Sequence, residues 1–280
     1  MRATVRARIH GRPSKKLCCG TRTWHRIGGM KAIIIGAGRG QRLMPTTAET
    51  PKCYAEVQGR RLLDWALLAC SQAGITEICF IGGYQIEKVQ RDYPHLIFRH
   101  NREWEQNNIL ASLMFAEDLM EDGFLCCYSD ILFTATVLQR LLASHGEIVL
   151  SVDTSWLERY QHRTQHPPDD AEKVMARNGC VTRIHRDIAP GDAYGEYTGI
   201  ARFTAMGAEQ LRQHYHQSRM NYSGKPFREA ASFEKAYLIH LLEEMIEAGT
   251  KMSHSDTPGE YMEVDTQEDF ELARRYWRPT

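Results

Sequence analysis

The chain has 280 residues, 42% of them hydrophobic and 25% charged, which suits a soluble globular protein of one large domain or two small ones. No apolar run approaches the ~20 residues that span a bilayer, and the eight cysteines form no C-x-x-C pair, so a membrane span, a zinc framework and a disulfide framework all fit poorly. The formal charge of zero is uneven: residues 1–29 hold eight Lys/Arg and no acid, and without those eight, 27 basic residues stand against 35 acidic ones, a net charge of −8 that argues against a nucleic-acid-binding body. The basic segment lacks the apolar stretch of a secretory signal. It is read as a disordered leader or a start placed too early, with an organelle transit peptide as the alternative.

From Met30 the pattern alternates. Lys31 to Ile35 is a β-branched run fit for a buried parallel strand. Leu62 to Ala73 has helical spacing and stops at Gly74; "TEICFIGG" predicts a second strand, Ile86 to Arg91 a short helix and "HLIFRHN" a third strand. Asn108 to Met120 is helical, "GFLCCYSD" a strand, Thr134 to Ser144 a helix and "EIVLSVD" a strand. Residues 154–195 break the rhythm, with a polar, Pro-containing stretch and an Asn-Gly hairpin signal in "ARNGCVTRIHRDI". "GEYTGIARFT" resumes a strand, helices follow at Ala205 to Gln217 and Ser232 to Ala248, then strand-like "MSHS" and "YMEV" and a last helix from Thr266. The expectation is one α/β domain over residues 30–280, doubly wound on a mainly parallel sheet with helices on both faces. A small β-rich substrate insertion occupies about 154–195.

The first strand runs into "GAGRGQRLMPTTAETPK". A dinucleotide fingerprint needs G-x-G-x-x-G, but Gln41 stands where the third glycine belongs and no second strand leads to an acidic residue about twenty positions on. A P-loop fails as well, because no G-K-[ST] follows. Glycines that let backbone N–H groups approach phosphate oxygens, with Arg42 and Lys52 as added cations, suit a triphosphate and its pyrophosphate product.

"MKAIIIGAGRGQRLMPTTAETPK" resembles the signature of the nucleotidyltransferase superfamily that activates sugar phosphates and small alcohol phosphates, departing from it at Gly36 and Arg39. "NNILASL" is similar to a segment of bacterial phosphocholine cytidylyltransferases, and "RTQHPPDDAEKV" and "GEYTGIARF" resemble segments of 2-aminoethylphosphonate cytidylyltransferases. The resemblance implies a Rossmann-like nucleotidyltransferase sheet. It also implies catalytic Arg42 and Lys52, nucleotide contacts at Gly36, Ala37, Gly38, Arg39, Gly40, Asn107, Asn108 and Ser112, and a Mg²⁺ held by Asp130 and Asp265.

Alternatives stay open for several of these residues. Asp265 also fits a helix N-cap with Glu268 completing a capping box, and Asn107 fits a cap too. Gly83 and Tyr84 follow the second strand and edge a base pocket or form a plain turn. Arg163, His166 and Lys173 are candidates for the acceptor's phosph(on)ate oxygens, and Glu196 and Tyr197 for an acceptor ammonium.

The expected activity is Mg²⁺-dependent transfer of CMP from CTP to 2-aminoethylphosphonate, or next to phosphocholine, with release of pyrophosphate. A sugar-1-phosphate nucleotidyltransferase and a non-catalytic nucleotide-binding module are the competing expectations. The expected partners are CTP and a small acceptor, with no nucleic acid and no membrane, in the cytoplasm; homodimerisation is left open.

Overall fold

The computed structural model describes residues 30–278; the reading of residues 1–29 as a leader lies outside them. Strand β1 (Lys31–Gly36) leads into the glycine loop. A two-residue hairpin follows, β2 (Glu56–Val57) with β3 (Arg60–Arg61), then α1 (Leu62–Gln72), β4 (Ile78–Gly82), α2 (Ile86–Asp92), β5 (Ile97–His100) and α3 (Ile109–Leu113). The chain continues through β6 (Phe124–Tyr128), β7 (Ile131–Phe133), α4 (Ala135–Ala143), β8 (Ile148–Asp153), α5 (Trp156–Tyr160), β9 (Lys173–Arg177), β10 (Cys180–His185) and β11 (Gly195–Phe203). It closes with α6 (Ala205–Tyr222), α7 (Leu238–Glu247), β12 (Met252–Asp256), β13 (Tyr261–Glu263) and α8 (Gln267–Tyr276).

Nine strands form one sheet in the order β5-β4-β1-β6-β11-β8-β12-β10-β9. The run β5-β4-β1-β6 is parallel throughout. Beyond it the sheet is mixed: β11 is antiparallel to both β6 and β8, β12 is parallel to β8, and the β9–β10 hairpin is antiparallel to its neighbours. The mainly parallel expectation therefore holds for one half only. The hairpin turns at Asn178-Gly179, both at positive φ (53° and 76°), as a two-residue primed turn requires. This hairpin, within the stretch expected as a substrate insertion, extends the main sheet at the β12 edge and touches β11.

Burial on both faces explains the unbroken apolar run of β1. Ile33 and Ile35 join a core with α3, α6 and α7, while Ala32 and Ile34 join one with α1, α2 and α4. Successive strand residues point to opposite faces, so a strand covered on both sides has no polar face to show. Each fully buried isoleucine contributes about 1.5–3 kcal/mol. Five cysteines, 53, 70, 79, 126 and 127, lie buried and unpaired, and Cys180 is exposed and unpaired. No helix among the described residues is long and apolar enough to cross a membrane.

Two helices differ from their sequence expectation. The stretch from Asn108 turns from α to 3-10 after Leu113 and is kinked at Ala116. The helix expected from Ser232 starts only at Leu238, because the Glu234 and Ala236 carbonyls accept the backbone N–H groups of Asn108 and Leu110 at 2.9 and 3.4 Å, which holds that stretch against the start of α3. Tyr237 is left extended as the residue preceding α7.

Candidate active site

A cavity of about 530 Å³ opens where β1 and β6 end at their carboxyl sides, the place where open α/β sheets bind ligands. Gly36, Ala37, Gly38 and Gly40 form one wall. Gly36 closes β1 where a Cβ would meet the Phe80 ring at 2.6 Å. Gly40 is at φ 71°, and a Cβ there would lie 2.9 Å from the Lys52 side chain. Only glycine lets the loop turn this way and lie directly on the lysine stem.

Lys52 is 8% exposed, and its ammonium donates to Asp130 Oδ2 at 2.7 Å and Asp265 Oδ1 at 2.5 Å. Burial works against its charge, but the two carboxylates prevail and raise its pKa. Burial likewise opposes the charge of Asp265, and Lys52 and Arg42 outweigh it, so its pKa is lowered. Arg42 pairs with Asp265 and lies 3.6 Å from Asp170. Asp130 follows β6, and the Asp130 carbonyl accepts the Val264 N–H at 2.9 Å, which fastens the two strand ends together. The Asp265 cap reading does not hold. Thr266 caps α8, and its partner is Asp269, whose carboxylate accepts the Thr266 N–H at 2.9 Å. Glu268 turns instead to Thr164 and Gln165. Asp265 is thereby free for the cavity.

The "NNILASL" residues are organised by Asn101, a residue that the sequence did not single out. Its fully buried side-chain amide donates to Asn107 Oδ1 and Ser112 Oγ, both at 2.8 Å, and its oxygen accepts from the Glu103 N–H and from Asn107. All four of its hydrogen-bonding positions are used, so Asn107 and Ser112 are held at the cavity wall in fixed orientations. Asn108 also reaches the cavity, but its side chain caps α3 through the Ile109 N–H. Gly83 and Tyr84 sit behind the glycine loop: the Tyr84 N–H bonds the Ala37 carbonyl at 2.9 Å, and Trp104, packed on Tyr84, lines the cavity in their place. Arg39 lies over the Tyr84 ring, 5.3 Å from its centroid, and does not line the cavity.

The acceptor assignments divide. Arg163 is buried in a pair with Asp269 at 2.9 Å and donates to the Glu263 carbonyl at 3.2 Å, so it holds α8 and not a ligand. Lys173 is turned away as well, with its ammonium donating to the carbonyls of Pro168, Asp169 and Ala171. Burial lowers its pKa. His166 does reach the cavity, with Nδ1 3.3 Å from Asp269 and 3.6 Å from Glu263. Glu196 and Tyr197 line it from β11, with Glu196 already bonded by Tyr160 Oη at 2.5 Å and Arg159 at 3.1 Å. Among the lining residues absent from the sequence reading are Glu172, Arg186 and Tyr237. Nothing in their local sequence marks them, because the hairpin and the late start of α7 bring them together.

Six carboxylates and only three Lys/Arg line this cavity. Burial pushes Glu172 up to about 7 and Glu263 up to about 8, so the cations balance much of the standing charge, and it is the triphosphate's own negative charge that calls for an added cation. Asp130 and Asp265 converge from separate strand ends on one positive charge, and such a pair of hard oxygen donors fits Mg²⁺, which takes one or two carboxylates and fills its remaining positions with phosphate oxygens and water. His166, Glu263 and Asp265 each also offer a donor atom within 4.8 Å of the others.

Residues 32–196 match the MobA-like NTP transferase domain. The chain belongs to that family. It is 27% identical over 256 residues to a CTP:phosphoglutamine cytidylyltransferase of Campylobacter jejuni, an alignment covering 87% of this chain and 98% of that protein. It is 33% identical over 100 residues to a 2-aminoethylphosphonate cytidylyltransferase of Lancefieldella rimae, covering 34% of this chain and 41% of that protein. Among solved structures, the inositol-1-phosphate CTP transferase from T. maritima superposes with a TM-score of 0.67 at 21% identity, over 90% of this chain and 99% of that one. The likeness shows a shared α/β nucleotidyltransferase fold.

Proposed function

We propose that this nucleotidyltransferase moves CMP from CTP to a small amino-bearing phosphonate or phosphate and releases pyrophosphate. The observation that carries the reading is the meeting of Lys52, Asp130 and Asp265 beside the glycine loop, inside a cavity with room for a nucleotide and a second small molecule. The cytidylyltransferase names of the relatives support CTP as donor. The resemblance of the "RTQHPPDDAEKV" and "GEYTGIARF" segments to 2-aminoethylphosphonate cytidylyltransferases favours that acceptor, with phosphocholine next.

An anionic acceptor oxygen attacks the α-phosphorus of CTP in line, the bond to the β-phosphate oxygen breaks, and pyrophosphate leaves. The nucleophile is already ionised, so no general base is required, and the protein's task is to align two anions and neutralise them. The loop glycines and Arg42, which line the cavity, would meet the leaving pyrophosphate, while Lys52 holds positive charge where the aspartates meet. A Mg²⁺ held by Asp130 and Asp265 would screen the phosphate oxygens and so stabilise the charge of the transition state. Asn107 and Ser112, fixed by Asn101, present oriented polar groups to the base.

Pyrophosphate release, measured with each of the four nucleoside triphosphates against amino-phosphonates, phosphocholine and hexose 1-phosphates, tests the reading. CTP with an amino-bearing acceptor is the expected pair. Turnover confined to hexose 1-phosphates with UTP or dTTP contradicts it, and CTP binding without turnover on any acceptor favours a silent binding module.

A further inference from the structure

The strand order divides the cavity about the glycine loop. β1, which carries the loop, has β6 on one side and β4 then β5 on the other. Lys52, Asp130 and Asp265 meet on the β6 side, since Asp130 follows that strand. On the β4–β5 side, the segment after β5 brings Trp104 to the cavity. The other aromatic residues of the lining, Tyr128, Tyr197, Tyr237 and Tyr261, come from β6, β11, the residue before α7 and β13. Trp65, Trp156 and Trp277 are buried, whereas Trp104 keeps part of its surface open.

Trp104 is held firmly in place. A Cβ on Gly83 would lie 2.7 Å from both Cβ and Cγ of Trp104, so the glycine leaves the space in which the side chain sits. The Tyr84 ring meets the indole edge to face at 5.7 Å. Tyr84 is supported in turn by Arg39, 5.3 Å from its ring centroid, and by Gln85, which donates to its hydroxyl at 2.9 Å. The backbone on either side is tied as well. The Asn101 side chain accepts the Glu103 N–H at 3.0 Å, and the Glu103 carbonyl accepts the N–H groups of Gln106 and Asn107 at 2.8 and 3.0 Å. The Asn101 N–H bonds the Gly82 carbonyl at 2.8 Å and the Tyr84 N–H bonds that of Ala37 at 2.9 Å, which joins this turn, the end of β4 and the glycine loop into one unit.

On the nucleotidyl-transfer reading above, which this inference rests on, the phosphates lie along the glycine loop and reach Lys52. A nucleoside triphosphate carries its base at the end opposite the γ-phosphate. With the phosphates at Lys52 on the β6 side, the base falls on the β4–β5 side, where Trp104 is the lining aromatic residue. We propose that Trp104 is the surface on which the nucleotide's base stacks. Every base has a π-face, so the indole supplies affinity without reading the base. Asn107 and Ser112, held by Asn101 on the same segment, then meet the edge of the base and supply the choice.

Calorimetric titration of the full-length protein, in Mg²⁺, with CTP and with inorganic tripolyphosphate tests this, because tripolyphosphate keeps the phosphates and lacks the base. Trp104→Ala should weaken CTP binding by about 10–100-fold, as removal of an aromatic ring from beneath a base does, and leave tripolyphosphate within about 2-fold of wild type. The unchanged tripolyphosphate affinity also reports a folded glycine loop. Trp104→Phe keeps a ring to stack on and should hold CTP within about 5-fold of wild type. It should also abolish most of the quenching of tryptophan fluorescence that CTP causes, since the stacked indole is gone. A Trp104 that only packs the turn would weaken both ligands alike. That result, an unchanged CTP affinity in Trp104→Ala, or quenching that persists in Trp104→Phe overturns the inference and leaves nucleotidyl transfer standing. Failure of the wild-type protein to bind any of the four nucleoside triphosphates removes the transfer reading, and this inference with it.

Discussion

The two halves of the cavity are built by different means. On the proposed nucleotide side, the glycine loop, Lys52 and the β6 end at Asp130 lie on or beside parallel strands, and their residues come in one continuous stretch or at strand termini. On the proposed acceptor side, Glu172, Arg186, Glu196 and Tyr237 arrive from a hairpin, an antiparallel strand and the loop before α7. The first side rests on a locally coded glycine loop and on strand-end carboxylates that meet Lys52 across 78 and 213 positions, and the second on residues that a hairpin, a strand and a loop bring together. Substitutions should therefore act differently in the two halves: on turnover in the first, on acceptor choice and acid tolerance in the second.

The largest expected effect is at the shared ammonium. Lys52→Met should cut turnover by roughly 10³-fold with every acceptor, since it removes a preorganised charge beside the reacting phosphates. A loss that depended on the acceptor would place Lys52 in the acceptor half.

Two aspartates four residues apart sharpen the contrast next. Asp265→Asn should lower turnover by about 10²-fold with little change in Tm, because Thr266 and not Asp265 caps α8 and Asp130 still balances Lys52. Asp269→Asn should do the reverse. Asp269 is fully buried against Arg163, His166 and the α8 cap, and breaking such a cluster costs about 3–5 kcal/mol, so Tm should fall while the folded fraction keeps its activity. Melting curves and turnover on both variants separate the roles.

Gly40→Ala should act on both readouts moderately. The strained φ would cost about 1 kcal/mol, and the pressure of the new methyl on the Lys52 stem should cost about tenfold in turnover. An active, equally stable variant would show that the loop does not set the lysine.

The smallest expected effect lies behind the acceptor wall. Burial pushes the His240 pKa from 6.5 down to about 4, with Glu229 opposing the shift and Arg186, His185 and Arg228 adding to it. Below pH 6.5 the unfolded chain takes up a proton that the folded one refuses, so His240 drains stability as pH falls from 6.5 to about 4. His240→Gln keeps a capping-box acceptor for Tyr237 and removes that loss. Its Tm should therefore decline less than the wild type's over this pH interval, and parallel declines would contradict the assignment.

The same division explains what could be read in advance. The β1 run, the glycine loop and the strand-end aspartates are local patterns with a physical reason behind each spacing, and they held their places. The antiparallel β11 did not show itself, because an apolar strand reads alike whichever way its neighbours run. Arg163 and Lys173 misled because a cation's sequence position does not say whether it faces a ligand or a buried carbonyl; here Asp269 and three loop carbonyls claim them. Asn101 was hidden for a related reason, since its role rests on saturated contacts with residues that the strand-to-helix loop folds back onto it.

Phosphorus NMR of the full-length protein with CTP, Mg²⁺ and an amino-bearing phosphonate tests the central claim most directly. The account predicts loss of the triphosphate signals, the appearance of free pyrophosphate, and a coupled pair of signals from a new P–O–P bond joining CMP to the phosphonate. Intact CTP in the presence of every amino-bearing acceptor, with the coupled pair forming only from a hexose 1-phosphate and another nucleotide, would contradict it.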